Sequence, residues 1–179
     1  MRKLITVLAC LSLCTFAVHA DNGWGLFGSY WNPSDGDSAF GPGVRLAVEM
    51  IPGVQLDMRV SYFNDVMKES EGPSLKVIPL EAGLNLIAPA ADRLNVYGGI
   101  GIGYYLMDSD ADVDNEVGFF LNGGVEFVMI ENEAFYGGTR ASLFAEAMYR
   151  SVSADKAGND GKDMDLDGLV LSGGLMVRW

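Results

Sequence analysis

Apolar residues recur at every second position in eight successive runs of this chain, and that rhythm narrows the fold more than any other feature. A helix repeats its buried face about every 3.6 residues, whereas a strand repeats it every two. The clearest pair lies at 42–51 and 54–64. Val44, Leu46, Val48 and Met50 alternate with Arg45, Ala47 and Glu49; Val54, Leu56, Met58, Val60 and Tyr62 alternate with Gln55, Asp57, Arg59 and Ser61. Pro52-Gly53 between them is a turn pair, so the two runs read as a hairpin. A first run, 23–31, is rich in aromatics and ambiguous in parity. The remaining runs fall at about 75–88, 94–107, 117–130, 135–152 and 169–179. "TRASLFAEAMYR" in the seventh also suits an amphipathic helix, since Ala favours one. Its period-two match and its place in the series favour a strand.

The connections alternate too. Those at 32–41, 65–74, 108–116 and 153–166 are long and polar, and those at 52–53, 89–93 and 131–134 are short. In an up-and-down antiparallel sheet this gathers every long loop at one end and every tight turn at the other. The expected fold class is therefore all-β, an eight-stranded antiparallel up-and-down barrel.

Residues 1–20, "MRKLITVLACLSLCTFAVHA", are a different object: two cations, a short apolar segment, then small residues before a cut. They read as a cleaved secretory signal peptide, leaving 21–179 as the barrel domain. Loss of Arg2 and Lys3 moves the formal net charge from -12 to -14. It also removes Cys10, Cys14 and His19, which are all the thiols and imidazole the chain has. Disulfides and catalysis by Ser-His-Asp, Cys-His or His-bound metal are then excluded by inventory. No enzyme is expected. The acidic balance excludes nucleic acid, which needs a basic surface. No stretch of 21–179 approaches the roughly 20 apolar residues of a membrane helix.

Alternation alone does not say which face is inside. Four features put the apolar face outward, against lipid. The polar positions of the strands hold Arg45, Arg59, Arg140, Arg150 and Arg178 against Glu49, Asp57, Glu81, Glu126 and Glu146, five against five, while lysines keep to loops and strand ends. A confined interior must balance its charges, and arginine's fork suits buried carboxylates. The same positions are rich in glycine (Gly83, Gly99, Gly101, Gly103, Gly124), as a narrow lumen requires. Runs of about ten residues suit tilted membrane-crossing strands. The chain ends on Trp179 at apolar parity, suited to an interfacial aromatic girdle.

With its signal peptide, its Gly- and Tyr-rich "LNVYGGIGIGYYL" and its closing "LVLSGGLMVRW", the chain resembles the small eight-stranded outer-membrane barrels of the OmpX, OmpA transmembrane-domain and OmpW kind. The resemblance covers essentially all of 21–179. It implies the bacterial outer membrane, with lipid and lipopolysaccharide as surroundings. It also implies recognition by the barrel-assembly machinery through Leu175, Val177 and Trp179. With no residues after Trp179, the peptidoglycan-binding second domain of OmpA is not expected.

Three constellations remain. The ten charged lumen residues read as a structural salt-bridge plug rather than an ion path, because eight strands enclose side chains and not a channel. The acidic loops carry Asp108, Asp110, Asp112 and Asp114 at alternate positions, and "DMDLDG" supplies Asp163, Asp165, Asp167 and Gly168. This is the opening half of a calcium loop, but Gly174 stands where a bidentate Glu belongs. Weak Ca²⁺ or Mg²⁺ binding is the cation reading; solubilising charge, with no cofactor, is the plainer one. Finally, Ile87, Phe120, Val128 and Phe144 put apolar surface on the polar parity, read as lumen packing rather than a small pocket. The expected function is structural or surface-interacting, for a surface partner the sequence does not name. The alternatives are a narrow pore or transport barrel for small apolar solutes and, more remotely, a soluble ligand-binding barrel.

Overall fold

The computed structural model describes residues 22–64, 66, 75–108, 115–132, 138–154 and 164–179; the expected leader lies outside them. The elements are β1 (Gly23–Pro33), β2 (Ala39–Ile51), β3 (Val54–Ser61), β4 (Lys76–Ala91), β5 (Leu94–Asp108), β6 (Glu116–Asn132), β7 (Thr139–Ser151), β8 (Ser153–Ala154), β9 (Met164–Asp165) and β10 (Gly168–Arg178). Eight of them close into a barrel in the order β1-β10-β7-β6-β5-β4-β3-β2, every neighbour antiparallel. The short β8 and β9 pair with each other in the connection that leads to β10. The seventh run is a strand, as its period indicates.

Closure runs along the full length of β1 and β10, from Gly23 opposite Arg178 to Pro33 opposite Gly168. Two further bonds finish the seam: the Asn22 N–H donates to the Trp179 carbonyl at 3.2 Å, and the Trp179 N–H donates back at 2.9 Å. No sheet edge is left between these strands, the condition for burying a sheet in lipid.

The faces sort as the alternation requires. Leu26, Val44, Leu84, Ile100, Leu121 and Leu175 stand outward, Ile100 67% exposed. Arg45, Asp57, Arg59, Glu81, Glu146 and Arg150 point inward and are buried. Such a continuous apolar exterior is not that of a soluble monomer. The barrel is transmembrane; the soluble alternative needs an apolar lumen, whereas this one is lined with charged residues through its middle. Outward aromatics form two belts. Trp24, Phe127 and Trp179 lie toward the tight turns, and Tyr30, Phe40, Tyr62, Tyr104, Phe119 and Tyr149 toward the long loops. Membrane barrels place amphipathic rings at both water interfaces in this way.

Five details differ from the sequence reading. β1 has a definite parity, Phe27, Ser29 and Trp31 inward and Trp24, Leu26 and Tyr30 outward. β2 begins at Ala39, three residues early, and β4 extends to Ala91, which leaves a two-residue turn at Asp92-Arg93 before β5. β6 carries a bulge between Val128 and Ile130, which the period-two reading of the run at 117–130 does not anticipate, and Met129 is skipped by the ladder. β3 stops at Ser61 rather than 64, leaving an isolated bridge between Phe63 and Val77. Proline explains this last case. In register, Pro79 falls opposite Ser61 and Pro42 opposite Tyr62, and neither has an N–H to donate to β3.

Candidate functional site

Polar side chains converge inside the barrel, and closure rather than sequence proximity brings them together. At the centre, Arg45 of β2 meets Asp57 of β3 at 2.5 Å, and Arg59 meets the same oxygen at 2.6 Å. Arg59 also pairs with Glu146 of β7. β3 and β7 stand on opposite sides of the ring, so this pair is a strut across the lumen. Glu146 lies 3.7 Å from Arg45 as well. Amides close the set: Asn85 donates to Asp57 and Asn122 to Glu146, each at 2.9 Å. Aromatic faces flank the cations, with Tyr97 and Phe144 each 5.0 Å from the Arg45 guanidinium and Phe120 at 5.5 Å from that of Arg59. These contacts place Phe120 and Phe144 in lumen packing.

Toward the long loops a second strut joins β7 to β4. Arg150 donates from Nε and Nη2 to the two oxygens of Glu81 at 2.8 and 3.0 Å, the bidentate geometry arginine favours. The Tyr105 hydroxyl donates to the same carboxylate at 3.1 Å. The rings of Trp31, Phe63 and Tyr105 surround the guanidinium at 5.0, 5.3 and 6.0 Å. Above them an apolar plug fills the lumen at this end: Phe63, Val66, Leu75, Val77, Val152 and Leu166, each essentially inaccessible. Toward the tight turns a third pair joins Arg178 to Glu126, bidentate at 2.8 and 2.6 Å, with Ser142 donating to the same carboxylate at 2.6 Å. The Gln55 amide, turned oxygen-first, accepts from Arg178 at 2.6 Å.

Eight of the ten expected lumen charges thus meet in three groups. The other two sit half-buried near the tight turns. Glu49 accepts the Gly53 N–H at 3.1 Å, holding the turn whose Gly53 adopts φ +79°, a conformation that favours glycine. Arg140 stands in register with Glu131. The lumen glycines have a specific use. A Cβ at Gly83 would lie 2.8 Å from the Phe120 ring, and one at Gly124 would lie 2.6 Å from that of Tyr97. These two glycines each make room for a ring rooted on another strand.

Of the acidic loop residues, Asp110, Asp112, Asp114 and Asp163 lie outside the described residues. Asp108 ends β5, exposed, in register with Lys76. Asp165 and Asp167 spend themselves on local bonds. Asp167 accepts the Val152 N–H at 2.5 Å and the hydroxyls of Ser151 and Tyr149 at 3.3 and 3.4 Å, while Asp165 accepts the Asp167 N–H at 2.9 Å. The Asp167 carbonyl also accepts the Ser34 N–H at 2.7 Å, which ties this connection to the one after β1. Leu175 and Trp179 are half-exposed on the outer face, and Val177 shares their parity.

The plug and the amide partners were missed in the sequence. The signal for the plug is apolar residues at lumen parity near the long-loop ends of strands, Trp31, Val77, Tyr105 and Met148 among them, and the signal for the amides is Asn85 and Asn122 at that same parity.

No protein-family model matches the chain, and no curated protein matches it by sequence. Among solved structures it is similar to Neisserial surface protein A, at 14% identity and TM-score 0.66, over 89% of this chain and 97% of that one. It is similar also to the outer membrane protein OprG from Pseudomonas aeruginosa, at 13% identity and TM-score 0.66, over 89% and 96%. Likeness at such identities is one of fold: the chain has the form of the small outer-membrane barrels it was expected to resemble.

Proposed function

We propose that this is a non-enzymatic barrel of the bacterial outer membrane with a structural or surface-interaction role, its long acidic loops facing outward. The observation that carries the reading is a lumen braced by opposed ion pairs and sealed under the loops by apolar side chains, inside an apolar exterior. A lumen built this way supports a rigid scaffold that presents loops; it does not support an open conduit. The two similar proteins are a surface protein and an outer membrane protein by name, in keeping with this setting. Lipid and lipopolysaccharide would surround the barrel, and the assembly machinery would read the outward Leu175, Val177 and Trp179. No cofactor belongs to this reading. Weak Ca²⁺ or Mg²⁺ binding would be confined to the acidic loops, and calorimetry at millimolar metal tests it, absence of heat removing it.

The location is tested by a gel of washed outer membranes, boiled against unboiled. A band in that fraction that migrates differently unboiled is expected; an unshifted band in the soluble periplasm would overturn the proposal. The role is tested in planar bilayers. Current at the level of leak is expected, and discrete steps well above it would establish the alternative, a pore or transport barrel whose plug moves aside.

A further inference from the structure

The connection from β7 to β10 continues the ladder of those two strands with one rung altered. Gly168 pairs with Arg150 in the barrel, and three residues away on each side Asp165 pairs with Ser153. No residue is inserted between them, so β8 and β9 keep the register of β7 and β10 beyond the rim. The altered rung is that of Val152 and Leu166. The Leu166 N–H donates to the Val152 carbonyl at 2.9 Å, which marks a hydrogen-bonded pair. In an unbroken antiparallel ladder such a pair exchanges both bonds. Here the Val152 N–H donates instead to the Asp167 carboxylate at 2.5 Å, so a side chain stands in for the Leu166 carbonyl. Aspartate competes with backbone acceptors in this way. The Asp167 N–H in turn donates to the Asp165 carboxylate at 2.9 Å.

This rung is also where the ribbon enters the plug. Val152 and Leu166 are both inaccessible and join the apolar cluster of Phe63, Val66 and Val77. The far edge of β9 is held by the connection after β1. The Ser34 N–H and hydroxyl donate to the Asp167 carbonyl at 2.7 and 3.0 Å, and the Asp35 N–H donates to the Asp165 carbonyl at 2.9 Å. Asp167 is therefore tied on two sides, by its carboxylate to the end of β7 and by its carbonyl to the first connection.

We propose that β8 and β9 form a flap over the lumen, hinged at the rung of Val152 and Leu166, with the Asp167 carboxylate as the pin that holds it closed. The open state needs no new register. When the carboxylate lets go, the Val152 N–H takes the Leu166 carbonyl, the ladder of β7 and β10 runs on unbroken, and the straightened ribbon draws Leu166 out of the plug. One ribbon thus has two hydrogen-bonded arrangements, as a switching element requires. The flap presupposes the sealed lumen proposed above and identifies the part of the seal that moves.

The test is alkylation by a water-soluble maleimide at Leu166→Cys, on the protein in lipid nanodiscs, read by peptide mass so that Cys10 and Cys14 do not contribute. Slow labelling is expected with Asp167 in place, and labelling at least tenfold faster once Asp167→Ala is added. Asp167→Asn keeps a side-chain oxygen for the Val152 N–H and should label as slowly as the parent. Slow labelling in all three would overturn the hinge and leave the sealed lumen standing. Fast labelling in all three would overturn both, since Leu166 would then be open to water in the unaltered chain. Hydrogen exchange in Asp167→Ala separates a hinge from fraying. The Val152 amide should stay protected, because it changes partner, while those of Ser34 and Asp35 lose protection. Loss at Val152 together with them would overturn the proposal. If Asp167→Ala does not fold, Asp167→Ser, whose side chain is too short to bridge the rung, takes its place.

Discussion

At the scale of single residues, the lumen is held by charges that are costly to separate. Glu81 serves both the Arg150 guanidinium and the Tyr105 hydroxyl, with no water-exposed side to relax into. Glu81→Ala leaves a buried cation uncompensated, and we expect it to cost about 3–5 kcal/mol in urea unfolding from lipid vesicles. Replacing both partners by apolar residues of similar size, Glu81→Met with Arg150→Met, is expected to recover most of that loss. Equal losses in the single and double variants would show that the pair is not the coupled unit. The members of this network were legible from the sequence, since five cations against five acids at one parity already describe a closed interior. Their pairing was not. Arg59 meets Glu146 only because β3 and β7 stand opposite in the ring, which depends on barrel closure and strand tilt rather than on any local pattern. Glu49 was read into the network by parity alone, while the Pro52-Gly53 turn four residues on draws its carboxylate.

At the scale of elements, strand parity and the order of long and short connections were legible because period two governs both. The departures come where another requirement outranks it. The lumen parity turns apolar near the long loops, through Trp31, Phe63, Val77 and Met148, because that end is sealed rather than solvated. β3 is cut short because Pro42 and Pro79 flank its end and deny it N–H donors on both sides. The loss falls on the β3 carbonyls and not on its amides, since the Tyr62 and Phe63 N–H groups still donate to the Pro42 and Val77 carbonyls at 3.0 and 2.9 Å. In hydrogen exchange of the protein in nanodiscs, these two amides should therefore be protected to the same degree as those of Leu56 to Val60. Distinctly faster exchange at 62 and 63 would show that the end of β3 opens locally despite those bonds.

At the scale of the whole molecule, the distinguishing property is that the barrel is inverted relative to a soluble protein, apolar outside and charged within. Ile100 marks the middle of the outer face, paired in register with Leu84 and Leu121. Ile100→Arg should therefore cost about 2–4 kcal/mol in lipid, as expected for a cation on a barrel's lipid face at the bilayer midplane. A neutral effect in vesicle unfolding would mean that this face meets water. The seam between β1 and β10 carries a further consequence, one of time rather than of stability. It joins stretches that lie at opposite ends of the sequence, so the first strand of the ring has no partner on one side until the last has been synthesised. Contacts so distant along a chain form slowly. Until they form, the apolar face and an open strand edge are both presented to water. A chain of this design must be escorted through that interval, and its journey to the membrane is governed by how long it can be kept unfolded as much as by how stable it finally becomes.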